Sequence, residues 1–281
     1  MHVLFIFVDG LGIGADSPGV NPVSRAAPCL YEMIRTCSVP ADACLGVPGL
    51  PQSATGTATL LTGVNMAAEE GRHVEGFPGA RIRRRVEQDN IFGKLTALGL
   101  RSTFANAYFM DEVSEVALGR RQSVTTVAAL SAFGGVRDRA MLMKNEAVYQ
   151  DITRESLAVR GYEGPAITPQ AAAGHLHEIV RGNDLTLFEY FQTDRAGHSG
   201  DFGRACKVLS TLDAFLLAAR QLSEESNHLL VITSDHGNIE DMSTPSHTRN
   251  PVPFIASGPR AADLRQAVRS LVDVTPALLR W

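Results

Sequence analysis

The residues able to do chemistry in this chain fall at a few places. Asp9 stands in V-D-G-L-G-I-G, Asp194 and His198 in D-R-A-G-H, Asp235 and His236 in D-H-G-N, and His247 in H-T-R-N-P. Three carboxylates gathered without cations would repel one another strongly. Divalent metal ions relieve that repulsion, and a mixed Asp/His set suits zinc or manganese. A further segment, G-L-P-Q-S-A-T-G-T-A-T-L-L-T-G-V-N (residues 49–65), places Ser53 where a tight loop opens into a helix. Free N–H groups and the helix dipole there favour an anion. Each piece alone has an ordinary explanation: an Asp after a strand caps a helix, D-H-G makes a turn, and Ser is a favoured N-cap. Their joint occurrence in this order is what points to metal-assisted chemistry.

These residues need elements to bring them together. Short apolar runs at Val3–Val8, Ser102–Ala107, Leu185–Phe191, His228–Thr233 and Val252–Ala256 read as strands. Helical patterns lie between them, at Pro22–Thr36, Ala54–Thr62, Asn90–Leu98, Thr168–Val180, Arg204–Leu222 and Arg260–Leu271. Such alternation predicts an α/β three-layer sandwich, a mostly parallel sheet with helices on both faces. Ligands of these folds bind beyond the carboxyl ends of the strands. Asp9, Asp194 and Asp235 each follow a strand, and His247 shortly precedes one. Residues 67–88 show the least pattern and read as a surface excursion. Residues 108–165 read as ordinary helices or as a small cap over the sheet.

Composition narrows the classes. The chain has 281 residues, 44% hydrophobic and 20% charged, with a net charge of -4. That is ample for a large core, and we expect a single domain over residues 1–281. No basic stripe suggests a nucleic acid, and no apolar run reaches the roughly 18–20 residues of a membrane span. Cys29, Cys37, Cys44 and Cys206 form no C-x-x-C pair, which fits a reduced cytoplasmic protein. The N-terminal MHVLFIFVDG lacks a basic leader and reads as a buried first strand rather than a signal peptide. Gly10, Gly12 and Gly14 do not make G-x-G-x-x-G, so a dinucleotide fingerprint is excluded, and no P-loop is present.

Together the motifs resemble the alkaline phosphatase superfamily of two-metal enzymes, nearest its branch of cofactor-independent phosphoglycerate mutase and phosphopentomutase. D-H-G-N followed by H-T-R-N-P-V-P-F-I is similar to the mutases' D-H-G-N and H-T-x-N-P-V-P, and D-x-x-G-H at Asp194–His198 to the family's other metal motif. D-V-T-P-A-L-L at 273–279 resembles its C-terminal helix. The resemblance implies Ser53 as nucleophile, rather than Thr55 or Thr57. It implies one metal on Asp9, Ser53, Asp235 and His236, and a second on Asp194, His198 and His247. The mutase branch leans the choice toward Mn2+ over Zn2+. Implied too is in-line phosphoryl transfer through a phosphoserine.

The acceptor decides the reaction. Water makes the enzyme a phosphatase or phosphodiesterase, whereas a retained alcohol makes it a mutase. A mutase must seal its site, and residues 66–89 and 108–184 leave little length for the large cap of the mutases. The mutases' Glu-x-Glu-Lys-Tyr is also missing; Asn145–Tyr149 has no lysine at that point. The expectation is therefore hydrolysis of a small phosphate mono- or diester, with phosphomutase second and a non-catalytic metal- or phosphate-binding domain third. Arg195 and Arg249, inside the motifs, and His73, in G-R-H-V-E-G-F-P, are candidate substrate contacts. The partner class is a small-molecule phosphate ester.

Overall fold

The computed structural model describes residues 1–111, 113–117, 119 and 121–280. Strands β1 (Val3–Val8), β2 (Ser38–Ala41), β3 (Ser102–Phe104), β4 (Asn106–Ala107), β5 (Val148–Tyr149), β6 (Leu185–Tyr190), β7 (Leu229–Thr233) and β8 (Val252–Ser257) follow in chain order. Six of them make one sheet in the order β2-β8-β7-β1-β6-β3. β1 is its centre, parallel to both β6 and β7, and β3 is parallel to β6. β8 runs antiparallel to β7. Its reversal matters for function: His247 precedes β8, yet it reaches the edge where the other strands end.

All six residues of β1 are buried, because helices cover both faces. Val3, Phe5 and Phe7 join the core on one side, beside the helices Ser53–Thr62, Ile91–Ala97, Val124–Phe133 and Leu271–Leu278. Leu4, Ile6 and Val8 join the core on the other, beside Pro28–Thr36, Pro169–Arg181 and Phe202–Glu225. Burying one such side chain stabilises by about 1.5–3 kcal/mol. Alternate residues of the strand thus hold two helical layers, and the expected three-layer sandwich is observed.

Several elements differ from expectation. The helix expected over 22–36 is two, Pro22–Ala26 and Pro28–Thr36, because Pro28 cannot continue the hydrogen bonding of the preceding turn. β2 went unseen: it carries Pro40, which an edge strand tolerates. The surface excursion contains a helix, Ala80–Gln88, anchored by buried Ile82 and Val86. The strand expected over 102–107 parts after Phe104: β3 pairs with β6, and β4 turns to pair with β5. Ala107, Phe109, Leu142, Ala147, Tyr149, Leu157 and Tyr162 form a small third core there. No helix among the described residues is long and apolar enough to cross a membrane.

Candidate metal centre

Each motif side chain is delivered by a different element. Asp9 follows β1, and Asp235 and His236 follow β7. Asp194 and His198 lie on the helix Gln192–Ser199, which follows β6. Their spacing of four residues puts both on one helical face. His247 comes from the loop before β8. Oxygen and nitrogen atoms of Asp194, His198 and His247 lie within 4.8 Å of one another, as do those of Asp9, Asp194 and His236. Asp194 belongs to both groups.

The hydrogen bonding shows what such a cluster needs. His198 Nδ1 faces the Pro245 carbonyl at 2.8 Å, and His247 Nδ1 faces the Pro51 carbonyl at 2.8 Å. A carbonyl only accepts, so both Nδ1 atoms are donors, and each ring turns its Nε2 toward Asp194. Those two Nε2 atoms lie 3.0 Å apart, each 3.4 Å from Asp194 Oδ1. Two imidazole nitrogens and a carboxylate oxygen thus converge on one point, each ring held from behind through its Nδ1, an arrangement that suits a cation. Asp235 Oδ1 is likewise buried without a hydrogen-bond partner, while its Oδ2 accepts from Thr57 Oγ1 at 2.7 Å. The residues present therefore fit a divalent metal. Asp235 stands somewhat apart, with Oδ1 3.8 Å from His236 Nε2 and outside both tight groups.

Proton affinities report the same excess of negative charge. Burial and the Asp235 carboxylate hold Asp9 well above the usual carboxylate range, against the pull of His236. Burial works against a charged His236, yet Asp235 and Asp9 raise it to about 10. Burial also pushes Asp194 upward, but the His247, His236 and Asn238 contacts outweigh it and bring it to about 2. Glu189, near the end of β6, is raised to about 7 by burial, although Thr125 Oγ1 donates to its Oε2 at 2.6 Å.

Ser53 is the first residue of its helix, and Gln52 occupies the cap position. The serine hydroxyl caps nothing: its Oγ lies 2.9 Å from His236 Nε2. The expectation of free amides for an anion needs correction, because Ala54 N and Thr55 N both point to the Val74 carbonyl, at 3.1 and 3.4 Å. The dipole remains, but those two donors are taken.

Two cavities meet at Ser53 and Asp194. One, about 540 Å³, is walled by Tyr108, Phe109, Tyr149 and Phe191, with Arg121, Arg160 and Arg195. The other, about 630 Å³, opens beside His198 and His247. Arg195 therefore lies where a substrate contact was expected, whereas Arg249 and His73 line neither cavity; His73 Nε2 lies 3.2 Å from the Val47 carbonyl. Arg121 and Arg160 were missed, since nothing local distinguishes them from surface arginines.

A cluster of acceptors at the carboxyl edge of a three-layer α/β sheet defines a class of metal-dependent enzymes. The chain belongs to the Metalloenzyme superfamily, whose family model matches residues 1–280. The fold is that of alkaline phosphatases. It matches the alkaline phosphatase of the Antarctic bacterium TAB5 with a TM-score of 0.57 at 12% identity, covering 99% of this chain and 97% of that one. A protein from Pyrococcus horikoshii matches with a TM-score of 0.61 at 14% identity, covering 99% and 96%. In sequence, a stretch of 104 residues is 36% identical to the 2,3-bisphosphoglycerate-independent phosphoglycerate mutase of Natronomonas pharaonis. It takes in 34% of this chain and 21% of that enzyme. A stretch of 103 residues is 38% identical to the same-named enzyme of Nitrosococcus oceani, over 34% of this chain and 20% of that one. The matched stretch thus spans about a fifth of these relatives' length.

Proposed function

We propose that this protein is a two-metal phosphoryl-transfer enzyme that uses Ser53 as nucleophile and hydrolyses a small phosphate ester. The observation that carries this reading is the placement of Ser53 Oγ, 2.9 Å from His236 Nε2 and uncommitted to its own helix. Two divalent cations, Mn2+ or Zn2+, held by Asp9, Ser53, Asp235 and His236 and by Asp194, His198 and His247, would supply charge neutralisation for the phosphoryl oxygens and a more acidic serine hydroxyl. Ser53 Oγ forms the bond to phosphorus while the ester P–O bond breaks and the alcohol leaves. Water then attacks the seryl intermediate, restoring Ser53 and releasing inorganic phosphate from a monoester or a phosphate monoester from a diester. The aromatic side chains offer apolar contacts to the leaving group in the 540 Å³ cavity, and Arg121, Arg160 and Arg195 offer cationic ones.

Hydrolysis is favoured over mutation by the second cavity, where the His198 side chain is 47% exposed. Water reaches that face freely, whereas a mutase must hold its alcohol away from water. Phosphomutase is the second reading, favoured by the names of the curated relatives. All four cysteines are unpaired, which suits a reducing cytoplasm.

The test is turnover by metal-reconstituted protein. Release of p-nitrophenol from p-nitrophenyl phosphate is expected of a monoesterase, and from the bis ester of a diesterase. Isomerisation of a phosphosugar or phosphoglycerate without phosphate release would establish the mutase instead. Ser53→Ala is expected to abolish turnover and leave metal binding largely intact; an active Ser53→Ala protein would overturn the nucleophile assignment.

A further inference from the structure

The structure assigns a positioning role to Glu240, a residue outside every motif considered so far: its buried carboxylate ties together the loops that carry the candidate metal ligands. This inference rests on the metal-centre reading above. Glu240 is 1% exposed, and no arginine or lysine pairs with it among the described residues. It receives donors from three separate segments. Gly12 N, in the loop of Asp9, donates to Oε2 at 2.9 Å. Asn238 N, in the loop of Asp235 and His236, donates to Oε2 at 2.7 Å. Thr248 Oγ1, next to His247, donates to Oε1 at 2.5 Å, and Asn250 Nδ2 donates to the same oxygen at 3.1 Å.

The fourth segment is reached through Asn238. Its side-chain Nδ2 donates to Asp194 Oδ1 at 2.7 Å and to the Asp194 carbonyl at 3.2 Å. One carboxylate, directly or through one asparagine, therefore holds all four segments that supply Asp9, Asp194, Asp235, His236 and His247. The glycines of V-D-G-L-G-I-G acquire a physical reason as well. A Cβ on Gly12 would lie 2.3 Å from Glu240 Oε1, and one on Gly237 would lie 2.3 Å from the same atom. Gly12 and Gly14, whose spacing matches no dinucleotide fingerprint, thus carry the imprint of Glu240, whereas a Cβ on Gly10 would meet Asp194.

Four donors satisfy both oxygens of a carboxylate, which only accepts. Glutamine has the same size but presents one oxygen and one NH2. With its oxygen toward the two backbone N–H groups, its NH2 faces the Asn250 NH2. A partly satisfied network costs more than its share of bonds, and the ligand loops lose their common reference. Residues that orient metal ligands from behind typically account for 10–100-fold in affinity.

The test compares wild type, Glu240→Gln and Thr248→Val by calorimetric titration of metal-free protein with Mn2+ and with Zn2+, alongside far-UV circular dichroism and melting of the metal-free forms. Glu240→Gln is expected to keep the wild-type spectrum and to bind metal about 10–100-fold more weakly. Thr248→Val, which removes one donor of four, is expected to lose less. A Glu240→Gln protein that binds metal like wild type, whatever its melting temperature, would overturn the positioning role. A Glu240→Gln protein too unstable to titrate leaves Thr248→Val to decide, with unchanged affinity counting against the role. Wild-type protein that binds neither metal would overturn the metal-centre reading and this inference with it, a result distinct from equal affinity in both.

Discussion

The two ends of the central sheet each hold three histidines in contact, and they use them in opposite ways. At the carboxyl end, the His236 and His247 rings stack at 3.8 Å and His198 tilts against His247 at 4.9 Å. At the amino end, His228 stacks on His177 at 5.3 Å and tilts against His2 at 4.9 Å. The first trio sits among Asp9, Asp194 and Asp235, and His236 is raised to about 10. The second has no carboxylate among those contacts; burial, followed by the charges of His2 and His177, lowers His228 to about 4. Imidazole clustering alone therefore says little. What makes one cluster a candidate for chemistry is converging acceptors, an adjoining cavity and a serine with no structural duty.

The comparison can be broken in several ways. The largest effect is expected from Asp194→Asn, since Asp194 is shared by both ligand groups. Metal binding and turnover should fall together, turnover by on the order of 10³-fold, while His228→Gln at the other end changes neither. Equal losses from the two substitutions, read by calorimetry and initial rates, would erase the distinction between the ends. Next come Arg121→Ala and Arg160→Ala, each expected to raise KM by about tenfold with a smaller change in kcat, as loss of a charged contact to the leaving group predicts.

The smaller effects are in pH dependence, and the two ends should tilt it oppositely in metal-free protein. Glu189 has its folded pKa raised to about 7, so its burial is harmless below the ordinary value near 4.5 and destabilises as pH rises through 7. Glu189→Gln, which keeps an acceptor for Thr125, should flatten that alkaline loss, by at most on the order of 3 kcal/mol. His228 has its folded pKa lowered to about 4 from 6.5, so stability is full above 6.5 and is lost as pH falls toward 4. His228→Gln should flatten this acid limb without touching activity. Melting temperatures from pH 4 to 8 read both, and identical limbs in variant and parent would refute the assignment concerned.

What the sequence made legible was local. β1, β6 and β7 are runs of branched and aromatic residues, and each motif follows its strand by a few positions, so the convergence at one edge could be inferred. The less legible parts depend on distant partners. Glu240 is one acid in an ordinary loop until Gly12 and Thr248 are brought to it. The amides of Ala54 and Thr55 look free until Val74 returns to cover them. The helix Gln192–Ser199 is polar and contains Gly197, so only the four-residue spacing of Asp194 and His198 hinted at it. In Ala80–Gln88 the pair Ile82 and Val86 is hidden among arginines. Phe109, Leu142, Ala147, Tyr149, Leu157 and Tyr162 join Ala107 in a small core of their own, and no periodicity announces that Arg121 and Arg160 line the same cavity as Ser53.

One feature of the fold bears on how such a protein can change. Every residue of the Ser53 helix from Ala54 to Thr62 is buried. Its far end is clamped by Thr275 Oγ1 on the Leu60 carbonyl at 2.7 Å, and a methyl group on Gly56 would lie 2.7 Å from the Asp235 carbonyl oxygen. A close-packed rod passes displacement along its length rather than absorbing it. Mutational search for altered specificity will therefore find almost no improved variants in this helix, because each one moves the serine. The exposed Arg121, Arg160 and Phe77 line the same cavity without such coupling, so under the proposed function they would be the writable part of the site.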